Sequence, residues 1–183
     1  MKKQKTKNEL CAAKHIRRAY KILGDATPIS ADCGKLCDRA CCTSGKRGKS
    51  EELGMLLFPG EEGFFSPSLK KQKVVISGKP GYFASCSGRC IRRFRPLSCR
   101  IFPLLPYVAK DDRDLSKPFR FSIIQDPRGK YLCPLIYAGD HVEEKFRERV
   151  ALAITEAGKC RTVRSFIFTL SEIADEYRRF TFD

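Results

Sequence analysis

Eight cysteines in two groups are the residues of this sequence whose types and spacing could do chemistry. Four of them stand within ten residues and four follow later in the chain: Cys33, Cys37, Cys41, Cys42, Cys86, Cys90, Cys99 and Cys133. If the first run is helical, its members at steps of four residues, Cys33, Cys37 and Cys41, fall near one face and can converge on one ion. We expect all eight thiols to be metal ligands.

The adjacent pair Cys41 and Cys42 is badly placed to form a disulfide. A bond between neighbouring cysteines strains the peptide that joins them and departs from the usual Cα separation. The two thiols are better explained as ligands to two metals or to two edges of one cluster.

The choice of metal follows from the softness of the ligands. Sites built only from thiolates suit tetrahedral zinc or an iron–sulfur cluster and disfavour magnesium and calcium. The usual pair of Cys-x2-Cys zinc knuckles is absent, and the clustered run with Cys133-Pro134 is similar to ferredoxin loops without matching their spacing. We favour an iron–sulfur cluster, [4Fe–4S], over zinc. Eight buried but unligated cysteines are the alternative, which fits poorly with thiols bracketed by arginine and proline.

The charge of the chain is strongly positive, with 36 Lys and Arg against 21 Asp and Glu and a net charge of +15. Thiolates on a metal leave negative charge, and we expect Arg95 and Arg100 to lie behind the ligands and offset it. A basic surface can also hold nucleic acid through its phosphates, but no recognised binding module accompanies the charge. A solvated basic face is the simpler explanation for the rest.

The sequence predicts a cytoplasmic protein without a membrane partner. No apolar run approaches the roughly 20 residues that a membrane-spanning helix needs. The lysine-rich start is followed by Asn8 and Glu9 instead of the apolar core of a signal peptide. Because the cytosol keeps thiols reduced, a cysteine pattern there is more often metal-binding or catalytic than a disulfide framework.

Hydrophobic periodicity predicts the elements that must position the thiols. The predicted helices cover residues 8–23, ending at Gly24, then 50–58, 140–157, with Asp140 and Glu143 as a capping box, and 166–180, as one helix or as two joined near Ser171. The predicted strands cover 73–77 and 81–84, as a hairpin, and 119–124. Prolines 96, 103 and 106 predict that the ligands near Cys99 lie on an irregular loop.

These elements predict an α+β fold in which terminal helices pack around short strands and an irregular cysteine-rich centre. We expect a basic tail over residues 1–7 and a single domain over 8–183, since a chain of 183 residues can bury one ordinary core. The metal-binding part is predicted to cover about 33–134 and the C-terminal helices about 140–181.

Acid–base catalysis has little support in the sequence. The two histidines, His15 and His141, are both distant in sequence from the eight cysteines, and we expect His15 to be an exposed helix residue. The acidic pair Glu61 and Glu62 is expected to lie on a surface turn.

The order of the motifs resembles one known family. The cysteine run, Cys86-x3-Cys90, the stretch Arg95-Pro-Leu-x-Cys-Arg-x-Phe-Pro and the final Cys133-Pro134 are similar to the YkgJ-type cysteine-cluster proteins, the CxxCxxCC family, described as zinc- or iron-chelating. The eight cysteines match the family pattern and leave Cys11 and Cys160 aside, which we expect to be unligated. The first run has three residues between cysteines where the family name implies two.

The resemblance implies a metal centre with a structural or redox role and leaves the physiological protein partner open. It also implies kinship with flagellin lysine methylases, which look like carriers of a similar cluster. An enzyme of that type, or an electron-transfer oxidoreductase with an iron–sulfur cluster, is therefore the alternative function. Since no sequence feature argues for methyl transfer, we expect a metal-binding protein without an activity of its own.

Overall fold

The structure is a computed structural model that describes residues 6–38, 40–43, 54–64, 69–85, 94–130, 132–137 and 141–181. Its elements are helices and antiparallel strands, which confirms the α+β class. In chain order they are α1 (Lys7–Leu23), α2 (Cys33–Leu36), α3 (Ala40–Thr43), β1 (Gly54–Leu56), β2 (Lys70–Ile76), β3 (Lys79–Ser85), α4 (Leu97–Ile101), β4 (Leu104–Tyr107), β5 (Ser122–Gln125), α5 (Pro134–Tyr137), α6 (Glu144–Ala157) and α7 (Arg161–Thr181).

Helix α1 confirms the first predicted helix almost to the residue. Thr6 and Glu9 form a capping box at its start, and the amide of Gly24 donates to the Tyr20 carbonyl at its end. Its apolar face packs against α6, with Ile16 and Leu23 fully buried in the core that these helices share with α7. The terminal helices therefore form the frame of the molecule.

Helix α6 begins later than predicted, so the capping box of Asp140 and Glu143 is wrong. The helix starts at Glu144, Glu143 is its N-cap residue, and Asp140 lies outside the described residues. The amide of Glu143 donates instead to the carbonyl of Pro28, 2.8 Å away, which ties the start of α6 to the segment before the cysteine run.

Helix α7 is one continuous helix, so Ser171 does not divide it. The Ser171 hydroxyl donates to the carbonyl of Ile167 within the helix and accepts a hydrogen bond from the amide of Val108, so its polar group is satisfied without a break. Over the residues described, no helix is both long and apolar enough to cross a membrane.

The predicted hairpin is confirmed, with longer strands than expected. Strands β2 and β3 pair in antiparallel register and are joined at Ser77 and Gly78, which both have positive φ, as tight hairpin turns require. Strand β1 covers the other edge of β3. The predicted helix over 50–58 is thus wrong at Gly54–Leu56, because pairing with β3 satisfies that backbone, and residues 50–53 lie outside the described part.

The predicted irregular loop around Cys99 is also wrong, because the three prolines stand at positions that regular elements tolerate. Pro96 stands at the N-cap of α4, where a missing N–H costs nothing, and Phe102 ends that helix before Pro103. Pro106 lies in β4, whose described partner is β5 on one side, so the strand is an edge where proline is tolerated.

The third predicted strand is shorter than expected, because Ser122–Gln125 forms β5 and residues 119–121 precede it. The rings of Phe119 and Phe121 stack there, with centroids 5.0 Å apart. Phe119 also packs beside Gly158, so side-chain packing on the end of α6 replaces strand pairing at this point.

Gly60 provides a test of how the 58–61 turn docks on α1. Its φ is +92°, and an added Cβ would lie 2.5 Å from the amide nitrogen of Ala13. We expect Gly60→Ala to lower the free energy of unfolding by about 3 kcal/mol, from backbone strain and overlap together. Gly78→Ala is the matched control, since φ is +74° there with open space around it, and should cost about 1 kcal/mol. Urea unfolding measures both, and equal losses would contradict this docking.

Candidate metal centre

One cavity of about 140 Å³ is lined by five of the eight predicted ligands. These are Cys33, Cys37, Cys41, Cys99 and Cys133. They come from α2 and the turn after it, from α3, from α4 and from the residue before α5. The structure thus brings together thiols that lie up to 100 residues apart in the sequence.

The first cysteine run is two short helices and not one. Asp32 caps α2 by accepting from the amide of Gly34, 3.1 Å away, and the Cys37 amide donates to the Cys33 carbonyl. Asp38, with φ of 46°, then ends the first helical segment before α3 begins. Cys41 therefore does not share one continuous helical face with Cys33 and Cys37. The break between α2 and α3 changes the direction of the chain, and all three cysteines line the same cavity.

The two later thiols are held by buried neighbours. Cys99 lies on α4, which is fixed to β1 because the Ser98 hydroxyl donates to the Leu56 carbonyl, 2.7 Å away. Cys133 is buried, and its amide donates to the carbonyl of Gly129. Burial raises the pKa of the Cys133 thiol, an effect opposed by the Leu135 amide and reinforced by the proximity of the Cys33 and Cys37 thiols.

The other predicted ligands are not placed. The side chain of Cys42 is not described, and Cys86 and Cys90 lie outside the described residues. None of the cysteines whose side chains are described forms a disulfide. Within this described set, no group of three or more Cys, His, Asp and Glu side chains is arranged to hold a metal ion. Convergence on one cavity is thus observed, whereas ligation stays a prediction.

Both predicted arginines line the same cavity. Arg100 is 6% exposed. Its guanidinium lies over the ring of Tyr20 at 5.1 Å and donates to the carbonyl of Gly24. Among the described residues, its Nε has no hydrogen-bond partner and no carboxylate lies within ion-pair distance. A buried cation without an anion is costly, so the electrostatics of this cavity favour a negatively charged occupant such as thiolates on a metal.

Glu61 is buried, contrary to the prediction from the sequence. It was expected on a surface turn, but it has no exposed surface. Its carboxylate accepts hydrogen bonds from the amides of Phe58 and Leu97, 2.7 and 2.8 Å away, and from the Tyr20 hydroxyl. Glu61 therefore joins α1 to the start of α4, which carries Cys99. The Pro59-Gly60 turn before it was the available signal, since a glutamate closing such a turn can bond back to the backbone.

His15 is also less exposed than predicted. Its Nδ1 lies 3.0 Å from Oε1 of Glu156 on α6, and its side chain is 14% exposed. The prediction failed because α6 packs across this part of α1, which the local pattern of α1 does not reveal.

Cys11 and Cys160 do not line the cavity. Cys160 is buried in the core and Cys11 packs against it, half-buried. A hydrogen bond with Cys160, followed by burial, raises the pKa of the Cys11 thiol. The two cysteines that have no partner nearby in sequence are thus neighbours across α1 and the start of α7.

Comparison with known proteins adds no identification: no family model matches the chain, and no match is found among the curated proteins or the solved structures.

The buried carboxylate of Glu61 should make stability depend on pH. Burial raises its pKa from 4.5 to about 7, against the hydrogen bonds from Tyr20, Leu97 and Phe58, which lower it. Because the folded protein holds this proton more tightly than the unfolded chain, the contribution is fully present below pH 4.5 and is lost as the pH rises through about 7. At about 1.4 kcal/mol for each pH unit, this loss is roughly 3 kcal/mol.

Glu61→Gln should remove that part of the pH dependence, as measured by urea unfolding at a series of pH values. Glu62→Gln is the matched control, because Glu62 is the next residue and is only half-buried. An unchanged pH dependence in Glu61→Gln would contradict the assignment.

Proposed function

We propose that this chain is a cytoplasmic metal-binding protein related to the YkgJ-type cysteine-cluster family, and that its eight cysteines hold an iron–sulfur cluster in preference to zinc. The observation that carries the proposal is the shared cavity of Cys33, Cys37, Cys41, Cys99 and Cys133. A cysteine that serves only as a small core residue can pack against any apolar side chain. Core packing alone therefore does not explain why thiols from four segments line one cavity.

The donor set supports a thiophilic metal. The described side chains that line the cavity are cysteine, arginine and apolar residues, with no carboxylate or imidazole among them. Soft thiolate ligands in apolar surroundings suit iron–sulfur clusters and zinc, and exclude the hard cations that need oxygen ligands. A bound iron–sulfur cluster would supply one-electron redox chemistry, whereas zinc would supply only a structural cross-link.

The chain's own contribution is to gather the thiols and to balance their charge. Arg95 and Arg100 would lower the cost of bringing several thiolates together, and Arg100, buried beside Cys99, is held in place by Tyr20 and by the carbonyl of Gly24. Burial raises the pKa of the Cys133 thiol, so a metal bound there would have to displace its proton.

The proposal is tested by purifying the protein without oxygen and measuring its absorption spectrum and its iron, sulfide and zinc content. We expect a brown protein that absorbs visible light and contains iron and acid-labile sulfide. A colourless protein with stoichiometric zinc would support the metal site but overturn the preference for an iron–sulfur cluster. A protein that contains neither metal, also after reconstitution with iron and sulfide, would overturn the proposal.

Substitution should separate ligands from bystanders. Cys99→Ser replaces a soft ligand with a hard one, and we expect the bound metal to fall by at least half. Cys160→Ser changes a buried cysteine outside the cavity, so metal content should stay at the wild-type level with a loss of stability of about 1 kcal/mol. Metal analysis of both variants, each checked for folding by circular dichroism, decides the matter. Equal loss of metal in the two variants would contradict the assignment of Cys99.

A further inference from the structure

We propose that a second cavity, next to the candidate metal centre, binds a small organic phosphate. This cavity has a volume of about 350 Å³, within the range of about 300 to 1,000 Å³ typical of ligand pockets. Four cations line it together with aromatic rings, and the cations are Arg17, Lys21, Arg95 and Arg100. We call it the basic cavity.

Aromatic rings hold two of these cations in place. The guanidinium of Arg17 lies 4.8 Å from the centroid of the Phe64 ring, and that of Arg100 lies 5.1 Å from the Tyr20 ring. The Tyr20 and Phe64 rings contact each other edge to face, 6.4 Å apart. Each ring covers one side of its guanidinium and limits how far the group can turn. Arg100 gives one N–H to the carbonyl of Gly24, but its Nε has no hydrogen-bond partner among the described residues.

Arg17 and Lys21 have no carboxylate partner in the described part of the chain. They lie one turn apart on α1. Glu61, whose carboxylate bonds to the hydroxyl of Tyr20, is already occupied by that hydroxyl and by two amides. Like charges at this spacing repel, and an anion bound between them would relieve the repulsion.

A phosphate monoester fits these features better than a carboxylate does. Near neutral pH it carries a charge of about −1.5 to −2 and three acceptor oxygens, which can engage more than one guanidinium fork. A carboxylate offers a single charge and two oxygens. The rings of Phe64 and Phe94 provide apolar surface against which the organic part of the ligand can pack.

The basic cavity can be tested separately from the proposed metal centre. No cysteine is among its described lining residues, whereas Arg95 and Arg100 line both cavities. Arg17 lines only the basic cavity, so a change there tests the anion site without touching the thiols.

The experiment is calorimetric titration of the full chain at low salt with phenyl phosphate, inorganic phosphate and benzyl alcohol. We expect one site for phenyl phosphate, several-fold weaker binding of inorganic phosphate, and no saturable binding of benzyl alcohol. Binding of phenyl phosphate should weaken as salt is added, because the attraction is electrostatic. Inorganic phosphate that binds as tightly as phenyl phosphate would overturn the organic part of the proposal.

Two variants that differ by one position on α1 make the test specific. Arg17→Ala should weaken phenyl phosphate binding about tenfold, as expected for the loss of one charge-assisted hydrogen bond. Arg18→Ala removes the same charge from the next residue, whose guanidinium lies 3.4 Å from Glu156, and should change the affinity less than twofold. Lys21→Ala removes a second cation of the basic cavity from an exposed position on α1. It should also weaken phenyl phosphate binding.

Absence of saturable binding, or equal effects of Arg17→Ala and Arg18→Ala, would overturn the proposal. So would a single-stranded oligonucleotide that binds more tightly than phenyl phosphate and is equally sensitive to both arginines, because the charge would then serve a nucleic-acid surface. The metal content of Arg17→Ala should equal that of the wild type, so failure of the anion site is distinguishable from failure of the metal centre.

Discussion

Three segments of the chain meet at the carboxylate of Glu61, which has no contact with solvent. It accepts from the amides of Phe58 and Leu97 and from the hydroxyl of Tyr20, and so holds together the 58–61 turn, α4 and α1. A buried carboxylate that loses its donors is left with a large desolvation cost. Separating any one of these segments therefore costs free energy, which holds α4, with Cys99 and Arg100, in place beside α1.

Part of the positive charge of the chain is buried on α4, at Arg100. Arg100 is buried between the cysteine-lined cavity and the basic cavity, stacked on Tyr20 and without a carboxylate partner in the described part of the chain. A cation in this position is stabilised by whatever anions occupy the two cavities. Thiolates on one side and an oxyanion on the other would both lie near its charge.

The helical frame and the candidate sites are stabilised in different ways. The core of α1, α6 and α7 is apolar, and small residues such as Ala12, Ala19 and Ala153 let the helices approach closely. The five cysteines that line the cavity instead lie on four-residue and five-residue helices and on turns, which have too few internal hydrogen bonds to stand alone. Such short elements take their positions from the frame, and this allows thiols distant in sequence to face one cavity.

Local patterns in the sequence determined the elements whose stability is local. The periodicity of α1 with its Gly24 stop, the β2 and β3 hairpin and the apolar face of α7 could all be predicted, whereas the pattern left open whether α7 is one helix or two. Five of the eight candidate thiols do line one cavity. Tertiary structure alone decided that Gly54–Leu56 pairs with β3, that Asp38 divides the cysteine run and that Glu61 is buried. The physical reason is that a local pattern reports the spacing of apolar residues within one element, whereas the environment of a carboxylate or a strand edge depends on partners brought there by the rest of the chain.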